Sequence, residues 1–179
     1  MIHLVLGGAR SGKSAFAETL VAPAPTARPS GGSEPVAYLA TGWADPGDHD
    51  MAARIERHRR RRGDGWETIE VGAALAAALV ALPARQPALV DALGTWVAAH
   101  ADLDPDVGPV LAALAARAGL TVVVSDEVGL GVHPETVVGR RFRDVLGEVN
   151  QAVAAAADAV TLVVAGLPVV VKPSPPGAP

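Results

Sequence analysis

Short apolar runs alternate with segments of helical period along the whole chain. The runs Ile2–Leu6, Val36–Ala40, Thr68–Val71, Ala88–Asp91, Thr121–Ser125 and Val160–Val164 predict strands, with a short Val169–Val171 at the end. Between them, Lys13–Val21, Asp50–Arg62, Ala73–Leu82, Thr95–His100, Asp106–Ala118 and Glu135–Ala157 predict helices. In the last of these, Val138, Phe142, Val145, Val149 and Val153 recur at spacings of three and four, one stripe fit to pack on a sheet. Strands that are apolar throughout, alternating with helices, predict an α/β domain whose largely parallel sheet is covered on both faces. Residues 1–172 read as one such domain. Ala22–Pro35 is a Pro-, Gly- and Ser-rich surface loop, and Pro173–Pro179 reads as a disordered tail.

Chemistry enters at the first strand–helix junction. Gly7-Gly8-Ala9-Arg10-Ser11-Gly12-Lys13-Ser14 reads G-x-x-x-x-G-K-[ST], the phosphate-binding loop of nucleotide-handling proteins. Glycines let the backbone curl until its N–H groups face phosphate oxygens. Lys13 can neutralise the β- and γ-phosphates, and the Ser14 hydroxyl can hold Mg²⁺. The helix that follows turns its positive end to the same phosphates. Lysine is scarce, Lys13 and Lys172 being the only two, so the match is a specific one. The fold class is therefore a P-loop NTPase-like three-layer sandwich. The bland alternative is a glycine-rich turn that binds nothing.

Ligands of such sheets sit at the carboxyl ends of the strands. There the sequence places Ala40-Thr41-Gly42, Glu70, Asp91 and Ser125-Asp126-Glu127. Asp91 closes an apolar run and is placed to position Mg²⁺ beside the phosphate loop, though an Asp there can also simply turn the chain. Asp91-Ala92-Leu93-Gly94 also fits D-x-x-G of switch GTPases. Neither lysine lies in the N-K-x-D context such a protein needs, so that reading fades.

The segment Asp50–Arg62 puts Met51, Ile55, His58 and Arg62 on one helix face. Arginines beside His58 favour its neutral, nucleophilic form and attract phosphates. From the residues alone two readings stand: a solvated basic helix with an incidental histidine, or an imidazole that accepts a phosphoryl or nucleotidyl group. Residues Glu127–Glu135, with Gly129 and Gly131, are either a substrate-contacting loop or a tight connection.

Composition narrows the classes. Half the residues are hydrophobic, cysteine is absent, and the formal net charge is −4. Disulfides and thiolate catalysis are excluded, and a general nucleic-acid binder is disfavoured. The most apolar stretch, Gln151–Val171, is interrupted by Asp158, Gly166 and Pro168, so it does not read as a membrane span. No histidine spacing makes a metal site, which leaves Mg²⁺ carried by nucleotide. No signal peptide is visible, and the expected compartment is the cytoplasm.

Taken together, the segments resemble the bifunctional adenosylcobinamide kinase / adenosylcobinamide-phosphate guanylyltransferase family of cobalamin biosynthesis. The resemblance rests on Gly7–Ser14, Tyr38-Leu39-Ala40-Thr41, Asp50–Ile55 followed by His58, and Trp66–Glu70. It extends through Asp126–Gly131, Pro134-Glu135, Arg141–Asp144, Asn150-Gln151 and Val164–Pro168, from residue 1 to about 172. It implies that His58 becomes guanylylated. It implies that Gly7, Gly8, Ala9, Arg10, Ser11, Gly12, Lys13, Ser14, Ala40, Thr41, Gly42, Arg59, Arg60, Arg61, Arg62, Glu70 and Asp91 bind GTP, with Mg²⁺ at Ser14 and Asp91. The implied substrates are adenosylcobinamide and its phosphate, with GTP, or ATP for the kinase step; the implied assembly is a homotrimer. The chain departs from the family pattern at Arg57, where a second histidine is common, at Asp126, where asparagine is common, and at Gly94, where a polar residue is usual. Two other classes remain: a phosphate-loop kinase of another small metabolite that leaves His58 idle, and a non-catalytic nucleotide-binding protein.

Overall fold

The apolar run after Met1 forms β1 (Ile2–Gly7), and the phosphate-loop sequence leads from it into α1 (Lys13–Val21). The computed structural model describes residues 1–22, 35–42 and 65–174. The predicted helix over Asp50–Arg62, with His58 and Arg59–Arg62, and most of the loop Ala22–Pro35 lie outside the described residues, as do residues 175–179 of the tail. The remaining elements are β2 (Val36–Ala40), β3 (Trp66–Glu70), α2 (Leu75–Ala81), β4 (Ala88–Asp91), α3 (Leu93–Ala98), α4 (Gly108–Ala115), β5 (Thr121–Asp126), α5 (Val137–Ala156), β6 (Ala159–Val164) and β7 (Leu167–Lys172).

The strands form one sheet in the order β3-β2-β4-β5-β1-β6-β7. Every neighbouring pair is parallel except β6–β7, which is antiparallel. Alternation along each central strand feeds two cores. Leu4, Leu39, Val90 and Val123 face Leu75, Leu79, Trp96, Leu114, Leu146 and Val153 of α2–α5. Val5, Tyr38, Leu89 and Val124 face Phe16, Ala17, Leu20 and Val21 of α1. Helices thus cover both sides, which makes the three-layer sandwich.

Local chemistry sets the element ends. The α5 helix begins at Val137 rather than Glu135 because Thr136 caps it, its hydroxyl accepting from the Gly139 N–H at 3.1 Å. Asp106 stays outside α4: its carboxylate accepts from the Gly108 N–H at 2.9 Å, and Pro109 opens the helix. The α5 stripe packs on the core from Phe142 onward, partly buried at Phe142 and Val145 and buried at Val149 and Val153, whereas Val138 in the first turn stays exposed. The terminal strand is longer than the sequence suggests. Ala165 (φ 52°) and Gly166 (φ 82°) alone make the turn, so Leu167 and Pro168 already belong to β7. Two positive φ values in a two-residue connection match the twist of a hairpin, and Pro168 is tolerated because the strand lies at the edge.

At the amino ends of the strands the chain is tied by hydrogen bonds from main-chain N–H groups. The Ile2 N–H donates to Asp158 Oδ2 at 2.6 Å, the Thr121 N–H to the Met1 carbonyl at 2.9 Å, and the Ala118 and Gly119 N–H groups to the Ala84 carbonyl. Parallel pairing then sends all carboxyl ends of β1–β6 to the opposite rim.

Candidate active site

That carboxyl-end rim begins with the loop between β1 and α1. Gly7 admits no side chain: a Cβ there would meet the Ser11 hydroxyl and stand 2.9 Å from the Val163 carbonyl. Gly12 has φ 93°, which favours glycine, and Arg10 adopts φ 58°. The turn of the β6–β7 hairpin backs the loop, the Gly166 N–H donating to the Ser11 carbonyl at 2.8 Å. This prop was not legible in the sequence, where Gly166 looked only like a turn residue.

Lys13 and Ser14 open α1 and are both buried. The Lys13 ammonium donates to the Gly8 carbonyl at 3.2 Å and pairs with Asp126 Oδ1 at 2.7 Å. The Ser14 hydroxyl donates to Asp91 Oδ1 at 3.4 Å, and the Tyr38 hydroxyl donates to Asp91 Oδ2 at 2.7 Å. A hydroxyl and a carboxylate side by side are hard oxygen donors of the kind Mg²⁺ takes, so this pair fits the ion. Among the described residues no cluster of three or more His, Asp or Glu side chains could hold a metal by itself.

The neighbouring strand ends complete the rim. Ala40 lies in register with Glu70 on one side and Asp91 on the other. Glu70 is exposed. Thr41 is not: its hydroxyl contacts the Ala92 carbonyl at 2.6 Å and Thr95 Oγ1 at 2.6 Å, and receives the Ala92 N–H at 2.8 Å. It ties β2 to β4 and α3, so what it can offer a ligand is main chain. Gly42 follows directly, packed toward the Thr95 side chain. The structure therefore brings Gly7–Ser14, Ala40–Gly42, Glu70 and Asp91 to one rim; His58 and Arg59–Arg62 are outside the described residues.

Three residues that the sequence names without a structural task contribute here. Tyr38 orients Asp91 from within β2. Asn150 of α5 accepts from the buried Ser125 hydroxyl at 2.6 Å and donates to the Asp126 carbonyl at 3.1 Å, fixing the end of β5. Gly94 makes room for the Asp126 carboxylate. Each depends on contacts between residues far apart in sequence.

The fold and this loop define a nucleotide-handling α/β protein of the P-loop class. A likeness in fold to the flagellar accessory protein FlaH of Methanocaldococcus jannaschii agrees: the TM-score is 0.56 at 13% identity, covering 97% of this chain and 78% of that one. Residues 3–171 match the family model described as cobinamide kinase / cobinamide phosphate guanyltransferase, and the chain belongs to that family. It is 40% identical to the bifunctional adenosylcobalamin biosynthesis protein CobP of Pseudomonas aeruginosa, over 98% of this chain and 99% of that one. It is 37% identical to the protein CobU of Escherichia coli and, equally, to that of Salmonella typhimurium, over 96% of this chain and all of each relative. The chain is accordingly a kinase and a nucleotidyltransferase acting on cobinamide compounds in cobalamin synthesis. No helix among the described residues is long and apolar enough to cross a membrane.

Proposed function

We propose that one rim serves both half-reactions, with GTP, or ATP for the kinase step, held by Gly7–Ser14 and with His58 as the covalent nucleophile. The observation that carries this is the convergence of Lys13, Ser14 and Asp91 at the end of β1 and β4 in a chain of this family.

In the kinase step the hydroxyl of adenosylcobinamide attacks the γ-phosphorus, the bond to the β–γ bridging oxygen breaks, and the nucleoside diphosphate leaves. Lys13 and the loop N–H groups offset the charge that gathers on the leaving phosphates. Ser14 and Asp91 would hold Mg²⁺, which supplies further charge neutralisation when bound. In the transfer step a ring nitrogen of His58 attacks the α-phosphorus of GTP and expels pyrophosphate. A phosphate oxygen of adenosylcobinamide phosphate then attacks the same phosphorus. The P–N bond breaks, His58 is regenerated, and adenosylcobinamide-GDP forms. Arg59–Arg62 offset phosphate charge during transfer, and Ala40–Gly42 and Glu70 contact the nucleotide. The assembly is a homotrimer of the cytoplasm. With a net charge of −4 the chain takes no nucleic-acid partner.

Incubation with α-labelled GTP tests the reading. Acid-labile label is expected on the wild type and absent from His58→Ala, which keeps the kinase activity. Lys13→Ala is expected to lower both activities at least ~100-fold, in line with loss of a main electrostatic contact to the transferring phosphates. Label on His58→Ala would remove the histidine from the mechanism. Normal labelling of Lys13→Ala would place the nucleotide elsewhere.

A further inference from the structure

Asp126 stands in an arrangement that the two transfer steps do not require. It ends β5 in register with Gly7, the residue that opens the phosphate loop. Its backbone is fixed from both sides: its carbonyl accepts from Asn150 Nδ2 at 3.1 Å, and the next N–H, of Glu127, donates to the Gly7 carbonyl at 3.0 Å. This frame delivers Oδ1 to 2.7 Å from the Lys13 ammonium, whose side chain is 3% exposed. The second oxygen lies against α3, where a Cβ on Gly94 would come within 2.6 Å of Oδ2. Gly94 lies in the first turn of that helix and has no positive φ, so its backbone would accept any L-residue. What glycine provides there is space for a carboxylate.

We propose that Asp126 is a latch on Lys13. It satisfies the buried ammonium until the β- and γ-phosphates of a nucleotide displace it, and so sets the affinity for nucleoside triphosphates, with Gly94 as the gap that lets it reach. The physical basis is competition for one cation. A buried ammonium needs a partner, and Asp126 is a fixed one. An incoming phosphate must take that place while a like charge stays close by. The penalty falls on ligands whose phosphates reach Lys13, such as GTP, and spares GMP, which carries only the α-phosphate. The latch rests on the reading of Lys13 as the phosphate-binding lysine.

The test is titration of wild type, Asp126→Asn, Gly94→Ala and Lys13→Ala with GTP–Mg²⁺ and with GMP, after thermal melting has shown each to be folded. Asp126→Asn is expected to tighten GTP binding about tenfold or more and to move GMP less than twofold. Gly94→Ala, which drives the carboxylate off the lysine, is expected to act in the same direction. A variant combining Asp126→Asn with Gly94→Ala, titrated alongside, is expected to gain nothing over Asp126→Asn, because both changes break one contact. Unchanged or weaker GTP binding by Asp126→Asn, or effects that simply add, overturns the latch. If Asp126→Asn does not fold, Gly94→Ala decides by the same criterion. Loss of GTP binding in Lys13→Ala leaves the phosphate site standing whatever becomes of the latch. Its retention removes the site itself.

Discussion

His3 sits partly buried in β1, and its Nε2 lies 2.9 Å from Thr161 Oγ1 of β6. Burial lowers its pKa below the ordinary 6.5, because the charged ring loses water. The sign follows. Below about pH 6.5 the unfolded chain takes up a proton that the folded protein resists, so stability falls as the pH drops toward the lowered folded value. The limit is about 1.4 kcal/mol per pH unit. Urea titrations at pH 7 and pH 5 are expected to show a smaller acid loss in His3→Gln, which can keep a bond to Thr161 but does not titrate. An equal loss in both proteins would assign the acid sensitivity to other groups. At this scale the sequence was most legible where a residue's position is set locally. Lys13 and Ser14 follow from an eight-residue pattern, and Asp91 from its place at the end of an apolar run. Asp126 is different: its position at a strand end was visible, but its pairing with Lys13 depends on the register of β5 against β1, which no local pattern states.

Among the elements, the connection from α4 to β5 is held by one buried cation. Arg117 donates to Thr121 Oγ1 at 3.0 Å, to the Leu79 carbonyl at 3.3 Å and to the Gln86 carbonyl, so it binds α2, the β4 approach and β5 together. Desolvation lowers its pKa, and its three acceptors compensate for the lost water. Arg117→Met is expected to cost roughly 3 kcal/mol in chemical denaturation, since it leaves buried acceptors without donors. A cost below about 0.5 kcal/mol would mean that water replaces the guanidinium. The strands themselves were legible because a sheet covered on both faces writes uninterrupted apolar runs, as in Thr121–Ser125. The antiparallel β7 was less so. Pro168 reads from the sequence as part of the break ahead of a short Val169–Val171, whereas at a sheet edge its missing N–H has no ladder partner to lose.

On the scale of the whole molecule, the exposed apolar side chains among the described residues include Leu130, Val132, Val137 and Val138 beside the rim, and Leu167 with Val169–Val171 on the edge strand. A surface of that kind accords with association between copies. Light scattering at micromolar concentration is expected to give a mass three times the 18.1 kDa of one chain. A monomer mass would overturn the trimer while leaving the chemistry of a single rim intact. Polarity was readable at this scale as soon as the alternation of strands and helices was seen, since parallel pairing obliges every strand to finish on the same side.

The same polarity puts the other rim at the far end of the strands from the phosphate loop. Ala84 and Arg85 sit there exposed, just ahead of β4. Strands of four to six residues separate them from the phosphate loop by roughly 13–20 Å. Because the chain has no cysteine of its own, Arg85→Cys would create a sole thiol for a dye or a tether. A fluorophore fixed there would report rotational diffusion and partner exchange during turnover without reaching the reacting atoms.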